Sequence, residues 1–504
     1  AATPPASPPA SPDPDHPPET ARRGARGLRA LLALSAGPAL FLAVMALPAP
    51  MGLSPGGWTV AAVAGWMALW WLTQAVPLPA TALLPAILFP LLGVTDLKAT
   101  TSAYGHPLVF LFLGGFVIAL TMERWNLHRR IAIRIIAVAG TQPARLTAGF
   151  MAATALLSMW VSNTATTLMM VPIALSVIAF VDGDDADDGS PPAPAKDRFA
   201  RGLLLAIAYA ASIGGTATLI GTPPNAFLAG YMGQNHGIEI GFAQWMALGL
   251  PVALVLLVAA WLLLTKVTCP ADDLAQGPIQ DGIDRAHDEL GPIGRGEALT
   301  ALLFLAVALT WMFRPLIDDV VPLNDTAIAL IGAVAAFAIP VDLKTRSFLM
   351  DWSHAARLPW GILILFGGGL SLAGAIQETG LAQWLGGLFA EGGTMPLIAV
   401  LLLITGMVVF LTEITSNTAT AAVFIPVAAA LAATLGHDPM VFAVPVALAA
   451  SCAFMMPVAT PPNAIVFAAG RLDVAHMCAA GVFLNFAATA VIALAALYLV
   501  PRLF

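Results

Sequence analysis

Charged residues are scarce in this chain of 504 residues: 10% are Asp, Glu, Lys or Arg, whereas 59% are hydrophobic. Soluble domains carry roughly 25% charged residues, so the composition excludes a conventional soluble enzyme and a disordered scaffold. The net charge of −7, with 22 Lys and Arg, excludes the basic surface that binds a nucleic-acid backbone. With three cysteines, the chain has neither a disulfide framework nor a CxxC metal site.

Catalytic and nucleotide-binding motifs are also absent. The sequence contains no Walker A motif and no HExxH motif, which excludes ATP-driven transport by this chain and argues against an enzyme. What remains is a hydrophobic chain with room for roughly ten to twelve membrane spans of about 20 residues. The composition therefore predicts a polytopic protein of the inner (plasma) membrane, a class for which transport is the most common function.

The first 27 residues are polar, rich in Pro and Ala, and end in a basic cluster. Such a segment buries little apolar surface, so we expect a disordered cytoplasmic tail. The apolar run at about 28–48 follows, and we interpret it as the first membrane span. A signal peptide is the alternative, because Ala-Leu-Pro-Ala closes the run, but the run is long for a signal sequence.

Further apolar segments continue along the chain, and with the first they make eleven predicted membrane spans. They lie at about 57–72, 79–93, 107–123, 201–231, 242–265, 297–313, 324–340, 358–377, 437–469 and 479–501. Two more apolar stretches, 144–180 and 395–433, are interrupted by polar residues at their centres. We expect these two stretches to be re-entrant helical hairpins.

The distribution of basic residues supports this topology. With a cytoplasmic N-terminus, eleven crossings and two re-entrant hairpins, all but three of the 22 basic residues face the cytoplasm. The exceptions are Lys98, Arg314 and Arg502. If only one interrupted stretch crossed the membrane, every later loop would change sides and this asymmetry would weaken.

Two motifs occur twice. Ser-Asn-Thr-Ala-Thr at 162–166 recurs 254 residues later at 416–420, and Thr-Pro-Pro-Asn-Ala at 222–226 recurs 238 residues later at 460–464. The second offset is smaller than the first because the first half carries an extra acidic linker, about Asp182 to Asp197, between its two motifs. The chain is thus two related halves, roughly 57–266 and 297–501, which the basic residues place in opposite orientations. Inverted repeats with matching interruptions are typical of secondary transporters with a site near the membrane midplane.

The repeated motifs place polar groups at membrane depth, where they are costly unless satisfied. Adjacent prolines break a helix, so each Thr-Pro-Pro-Asn segment should unwind, free carbonyl oxygens for a cation and leave helix N-termini that favour an anion. Helix-packing contacts are the alternative use of such residues, but two copies at matched positions favour a binding site. No Lys or Arg lies near the motifs, so bound cations would have to offset the charge of an anionic substrate.

These doubled motifs, with Gly-Gly-Gly at 367–369, resemble the divalent anion–sodium symporters, the sodium-coupled di- and tricarboxylate transporters. The resemblance spans about residues 57–501. It implies a homodimer in the lipid bilayer, in which a transport domain moves as an elevator against a scaffold domain. It also implies two sodium positions. The first would use Ser158, Ser162, Asn163 and Gly221, and the second Thr412, Thr415, Asn417 and Ala459.

The same resemblance implies the substrate contacts. Substrate carboxylates would meet Asn163, Thr164, Asn417 and Thr418, with Thr222 and Thr460 nearby. Beside them, Glu413 has two interpretations: it tunes the site or relays a proton, or it supports a backbone group. Thr415 carries a side chain where a backbone carbonyl is expected to serve.

The predicted function is sodium-coupled symport of C4-dicarboxylates of the succinate, malate or fumarate type into the cytoplasm. The alternatives are a sodium-independent dicarboxylate exchanger and a sodium-coupled sulfate or tricarboxylate (citrate) carrier. A membrane enzyme or receptor without transport is a third class, disfavoured by the missing catalytic constellation. Intact cation positions favour sodium coupling, and two complete Ser-Asn-Thr motifs favour a carboxylate with two ends.

The predicted organisation follows the motifs along the chain. It consists of the tail 1–27; scaffold helices 28–143; the first hairpin and broken helix, 144–241, in the transport domain; scaffold helices 242–394; the second hairpin and broken helix, 395–478, in the transport domain; and a last membrane helix, 479–504.

Overall fold

The computed structural model describes residues 19–182, 194–271, 277–317, 322–390 and 395–504. The Pro-rich start of the predicted tail, and most of the acidic linker between the repeated motifs, lie outside the described residues. Helix α1 spans Glu19–Met45 and so begins inside the tail predicted at 1–27. The Ala, Arg and Leu of this stretch all have high helix propensity, which explains why the apolar helix extends backwards through the basic cluster.

Helices account for nearly all of the first half. After α1 come α2 (Pro55–Thr73), α3 (Leu78–Thr81), α4 (Leu84–Leu91), α5 (Leu97–Ser102), α6 (Pro107–Arg124), α7 (Leu127–Ala139), α8 (Pro143–Ser158), α9 (Asn163–Asp182), α10 (Pro194–Gly215), α11 (Pro223–His236), α12 (Phe242–Leu262) and α13 (Gly277–Asp288). A 3-10 turn at Ala103–Gly105 precedes α6, and a π-helical turn at Leu263–Thr268 extends α12.

The second half follows the same plan. Its helices are α14 (Arg295–Ile317), α15 (Asp325–Ala338), α16 (Trp352–Ala355), α17 (Trp360–Glu378), α18 (Leu381–Ala390), α19 (Leu397–Leu411), α20 (Asn417–Thr434), α21 (Pro439–Ala450), α22 (Pro461–Ala468), α23 (Val474–Tyr498) and α24 (Val500–Leu503). Among the described residues, one antiparallel ribbon departs from the helical pattern. Its strands are β1 (Pro340–Asp342) and β2 (Ser347–Phe348), and Pro340 lies opposite Phe348.

Seven helical segments of the described chain are long and apolar enough to cross a membrane. They are Leu97–Arg124, Asn163–Asp182, Phe242–Thr268, Arg295–Leu316, Trp360–Glu378, Asn417–Thr434 and Val474–Leu503. Shorter apolar helices accompany them, among them α15, α19 and α21. The structure is therefore that of a helical polytopic protein, while the count of eleven spans with two re-entrant hairpins stays a prediction.

Four interruptions divide the segments that carry the repeated motifs. The first junction (159–162) separates α8 from α9, and the second junction (412–416) separates α19 from α20. The first unwound segment (216–222) separates α10 from α11, and the second unwound segment (451–460) separates α21 from α22. Each unwound segment ends at a Pro-Pro pair, because proline lacks the N–H that would continue the preceding helix and fits the first turn of a new one.

The helices that lead into the unwound segments form the centre of the molecule. Every residue of α21 from Met440 to Ala450 is buried, and so is α10 from Gly202 to Gly215. Helices α8 and α9 pack on α10, and α19 and α20 pack on α21. A Cβ on Gly214 would overlap the Ala155 backbone, so glycine is what allows α8 and α10 to approach this closely. This packing brings each junction beside the unwound segment of its own half.

Candidate functional site

One cavity of about 490 Å³ lies where both junctions and both unwound segments meet. Of the twelve predicted site residues, ten line it: Ser162, Asn163, Thr164, Gly221, Thr222, Thr415, Asn417, Thr418, Ala459 and Thr460. The volume falls within the range of small-molecule sites, about 300–1,000 Å³. The four motifs, separated by up to 300 residues in sequence, thus form one site.

The other two predicted residues, Ser158 and Thr412, are fully buried behind the cavity wall. The Ser158 hydroxyl lies 2.6 Å from the side-chain oxygen of Asn163 and donates to the carbonyl of Ala211 at 2.7 Å. Thr412 makes the matching pair of contacts, to Asn417 at 2.7 Å and to the carbonyl of Ala450 at 3.0 Å. Each hydroxyl therefore holds the asparagine that begins the next helix against the end of a central helix.

The unwound segments are held by the asparagines of the Thr-Pro-Pro-Asn motifs. The Asn225 amide donates to the carbonyl of Thr218 at 2.8 Å, and the Asn463 amide donates to the carbonyl of Met456 at 3.0 Å. Both asparagines are fully buried. The sequence motif alone assigns neither asparagine a role, although their repetition at the 238-residue offset is a usable signal.

The two halves differ in what anchors the unwound segment to its junction. In the first half, the Thr218 hydroxyl donates to the carbonyl of Met159 at 2.5 Å and accepts the N–H of Gly221 at 3.0 Å. In the second half, Glu413 supplies the anchor, and its carboxylate is 3% exposed.

The Glu413 carboxylate accepts hydrogen bonds from three successive backbone N–H groups, those of Phe454, Met455 and Met456, at 2.7–3.1 Å. The side-chain amide of Asn485 donates a further bond at 2.7 Å. All of these neighbours are donors, and the two carboxylate oxygens supply the acceptors for them. This geometry favours the interpretation in which Glu413 holds backbone groups in place over the one in which it tunes the site or relays a proton.

A direct bond joins the halves at the back of the site. The Ser451 hydroxyl donates to the Thr222 hydroxyl at 3.2 Å. Thr460, the counterpart of Thr222, instead accepts the N–H of Asn463 at 3.2 Å and so caps α22. The Thr415 hydroxyl donates to the carbonyl of Leu411 at 2.8 Å and contacts the Thr420 hydroxyl at 2.8 Å, so it is engaged by the two helices that flank its junction.

Four helix N-termini border the cavity, those of α9, α11, α20 and α22. Helix N-termini carry partial positive charge and free N–H groups, which attract anions. Helices α11 and α22 begin with two prolines and lack the first two N–H donors, so backbone donation to an anion falls mainly to α9 and α20. Among the described residues that line the cavity there is no Lys, Arg, His, Asp or Glu.

Other elements, which carry no predicted site residue, complete the wall. Gln74 comes from the end of α2, Phe112 and Phe116 from α6, and Ile362 from α17. Gln74 is a non-glycine residue with a φ of 50°, a conformation that Gln adopts rarely. These residues carry no repeated motif, so only the tertiary structure reveals that they face the site.

Residues 28–503 match the family model described as the sodium:sulfate symporter transmembrane region. The chain belongs to this family. The match covers nearly all of the described structure and is consistent with a membrane transporter rather than an enzyme.

Two relatives within the family are named as sodium-dependent dicarboxylate transporters. The chain is 43% identical to a sodium-dependent dicarboxylate transporter, SdcS, of Staphylococcus saprophyticus, over 94% of this chain and 91% of the relative. A protein of the same name from Staphylococcus aureus strain USA300 is 41% identical over the same shares of both chains.

Solved structures share the fold at low sequence identity. The YdaH transporter of Alcanivorax borkumensis has a TM-score of 0.52 and 15% identity, covering 80% of this chain and 86% of that one. MtrF of Neisseria gonorrhoeae has a TM-score of 0.56 and 14% identity, covering 81% and 84%. These likenesses concern the fold alone.

Proposed function

We propose that the protein is a secondary active transporter that couples sodium to the uptake of C4-dicarboxylates of the succinate, malate or fumarate type into the cytoplasm. The observation that carries the proposal is that both motif pairs line the same cavity, and that the described residues of its wall include no charged side chain. The relatives at 41–43% identity are named as sodium-dependent dicarboxylate transporters, which supports the choice of substrate.

The two ends of a dicarboxylate match the two halves of the site. One carboxylate would meet Asn163, Thr164 and the N-terminus of α9, and the other would meet Asn417, Thr418 and the N-terminus of α20. Each half offers hydroxyl, carboxamide and backbone N–H donors, which carboxylate oxygens accept. Thr222 and Thr460 lie beside these groups in the same wall.

The sodium positions would lie between each junction and its unwound segment. The Ser158 hydroxyl has one hydrogen, which its bond to Ala211 uses, so its contact with Asn163 is best satisfied when the amide turns its N–H towards Ser158. The Asn163 oxygen then faces away from Ser158, and the same argument applies to Asn417 beside Thr412. An amide oxygen with backbone carbonyls such as those of Gly221 and Ala459 is the kind of ligand set that a hard cation binds.

Charge balance explains why transport would be coupled. A dianion in a cavity without basic side chains is held only by partial charges, and burying an uncompensated charge is costly. Sodium ions bound on either side of the substrate would supply the missing positive charge. Substrate would therefore bind well only after sodium.

The proposal includes the membrane arrangement given above: eleven spans, two re-entrant hairpins, inverted halves and a cytoplasmic N-terminus in the plasma membrane. It also includes a homodimer in which residues 144–241 and 395–478 move as an elevator. The central burial of α10 and α21, which carry both unwound segments, supports treating these parts as one moving body.

Proteoliposomes containing the purified protein test the proposal. Uptake of labelled succinate should require an inward sodium gradient and should stop when sodium is replaced by potassium or choline. Equal uptake in potassium, accelerated only by internal dicarboxylate, would support the exchanger instead. Competition by sulfate or citrate but not by succinate would support the sulfate or tricarboxylate carrier, and ligand binding without any flux would support a receptor.

A further inference from the structure

We propose that Asn225 and Asn463 are positioning residues that set the sodium affinity of the transporter, each by clamping the unwound segment of its own half. Neither belongs to the ligand set described above, and neither lines the cavity. The inference rests on the proposed function, because it concerns how the two cation positions are held in shape.

The first clamp is built from one amide group and three carbonyls. The Asn225 side-chain nitrogen lies 2.8 Å from the carbonyl oxygen of Thr218, 3.2 Å from that of Thr216 and 3.4 Å from that of Gly215. The two amide hydrogens of Asn225 thus hold together three carbonyl groups at the point where α10 ends and the first unwound segment begins. Because Asn225 is fully buried, shortening its side chain removes a donor from these carbonyls inside the protein.

The second clamp repeats the first. The Asn463 side-chain nitrogen lies 3.0 Å from the carbonyl oxygen of Met456 and 3.3 Å from that of Ala453. These acceptors correspond to Thr218 and Gly215 at the 238-residue offset that relates the two Thr-Pro-Pro-Asn motifs. The same bonds in two copies of different surrounding sequence point to a shared task.

Each clamp is linked through a single residue, Thr218 or Met456, to a predicted sodium ligand. The Thr218 carbonyl accepts from Asn225, while the hydroxyl of the same residue accepts the N–H of Gly221. The Met456 carbonyl accepts both from Asn463 and from the N–H of Ala459 at 3.1 Å. The clamps therefore restrain the backbone at Gly221 and Ala459 through their N–H groups, next to the carbonyls that would bind sodium.

The orientation of both amides is determined by these contacts. In the described part of the chain, the side-chain oxygens of Asn225 and Asn463 have no hydrogen-bond partner, whereas the nitrogens have several. Turning either amide would place its oxygen against carbonyl oxygens. The side chains thus act as donors, which an aspartate of the same size cannot do.

The test compares Asn225→Ala and Asn463→Ala with Asn235→Ala as a matched control. Asn235 lies on the same helix as Asn225, but its amide donates to the carbonyl of Tyr231 within that helix, at 3.1 Å. Two quantities are measured in proteoliposomes: the sodium concentration for half-maximal succinate uptake, and the KM for succinate at saturating sodium. The sodium-induced rise of the melting temperature in detergent, relative to potassium, is measured beside them.

We expect both clamp variants to raise the half-maximal sodium concentration about tenfold and to reduce the sodium-induced rise in melting temperature. The KM for succinate at saturating sodium should change less than about threefold, and the control should match the unmodified protein. Asn225→Asp and Asn463→Asp should be at least as impaired as the alanine variants.

An unchanged sodium requirement in both alanine variants overturns the inference. So does a lower melting temperature in potassium with an intact sodium response, since that marks a purely structural role. If the alanine variants do not fold, Asn225→Ser and Asn463→Ser, which keep one donor, are judged by the same criteria. If the unmodified protein takes up no succinate with sodium, the proposed function fails, and the inference about the two asparagines is then decided by the sodium-induced rise in melting temperature alone. If the unmodified protein also shows no such rise, both the proposed function and the inference are overturned.

Discussion

The two halves of the molecule reach the same geometry at the cavity by different means. In each half, a hydroxyl at the end of one helix contacts the asparagine that begins the next: Ser158 contacts Asn163, and Thr412 contacts Asn417. Behind this shared surface, the first half anchors its unwound segment with the Thr218 hydroxyl, whereas the second uses the Glu413 carboxylate. The motif residues at the cavity and the asparagines that hold the unwound segments are duplicated, whereas the anchor between junction and unwound segment is not.

The difference follows from the length and course of the unwound segments. The first spans 216–222, and the second spans 451–460. The longer segment exposes three successive N–H groups, at Phe454, Met455 and Met456, and a single carboxylate accepts all three. Buried backbone donors must find acceptors, so the longer segment needs the stronger acceptor.

The largest expected effect is on the duplicated surface. Asn163→Ala or Asn417→Ala removes a group placed to serve both a cation and a carboxylate, so we expect succinate uptake to fall to the background of empty liposomes. Size-exclusion chromatography should show an unchanged particle, because both side chains lie at the cavity rather than in the core. Normal transport by both variants would contradict the site assignment.

The second-largest effect is expected at Glu413, which anchors the unwound segment of the second half. Glu413→Gln replaces an acceptor by a group that also donates, leaving buried N–H groups unpaired at about 1–3 kcal/mol each. We expect a clearly lower melting temperature and at least a tenfold loss of transport.

The matched change in the first half is Met159→Leu, at the position equivalent to Glu413, where the anchoring acceptor is the backbone carbonyl. This variant should keep its melting temperature and its transport rate. Equal damage in the two variants would mean that the halves are supported alike.

A third comparison uses Gly221 and its counterpart Ala459. A Cβ on Gly221 would overlap the carbonyl oxygen of Gly215, whereas Ala459 carries its Cβ in the equivalent place. Gly221→Ala should therefore reduce sodium-dependent uptake about tenfold, as expected for a displacement costing about 1.4 kcal/mol. Ala459→Gly should stay within about twofold, since it costs only about 0.5–1 kcal/mol of backbone freedom; the reverse ranking would refute this asymmetry.

The smallest effects concern the tips of the junctions. Trp160 stacks on Phe242, with ring centroids 5.7 Å apart, and meets Phe304 edge to face at 5.1 Å. Its counterpart at the 254-residue offset, Ile414, is 69% exposed. Trp160→Ala should lower the melting temperature by a few degrees and slow uptake several-fold, while Ile414→Ala should change neither quantity. Both are measured by thermal unfolding in detergent and by succinate uptake into proteoliposomes. A loss of stability or uptake in Ile414→Ala would contradict this prediction and reveal a contact of Ile414 outside this chain.

The sequence by itself determined the helical membrane character, the two repeated breaks and the residues at each break. Hydrophobicity and proline act locally, so scarce charge and a Pro-Pro pair predict a span and its interruption without knowledge of the fold. The 254- and 238-residue offsets then indicated that the motifs belong to one site.

Only the tertiary structure decided how the breaks are held and what else reaches the cavity. The bond from Ser451 to Thr222 joins positions 229 residues apart, and Gln74, Phe112 and Ile362 arrive from elements with no repeated motif. Glu413 could not be assigned from its position, because its partners are backbone N–H groups, which every residue but proline carries. Contacts between distant segments depend on packing, and packing leaves no local pattern in the chain.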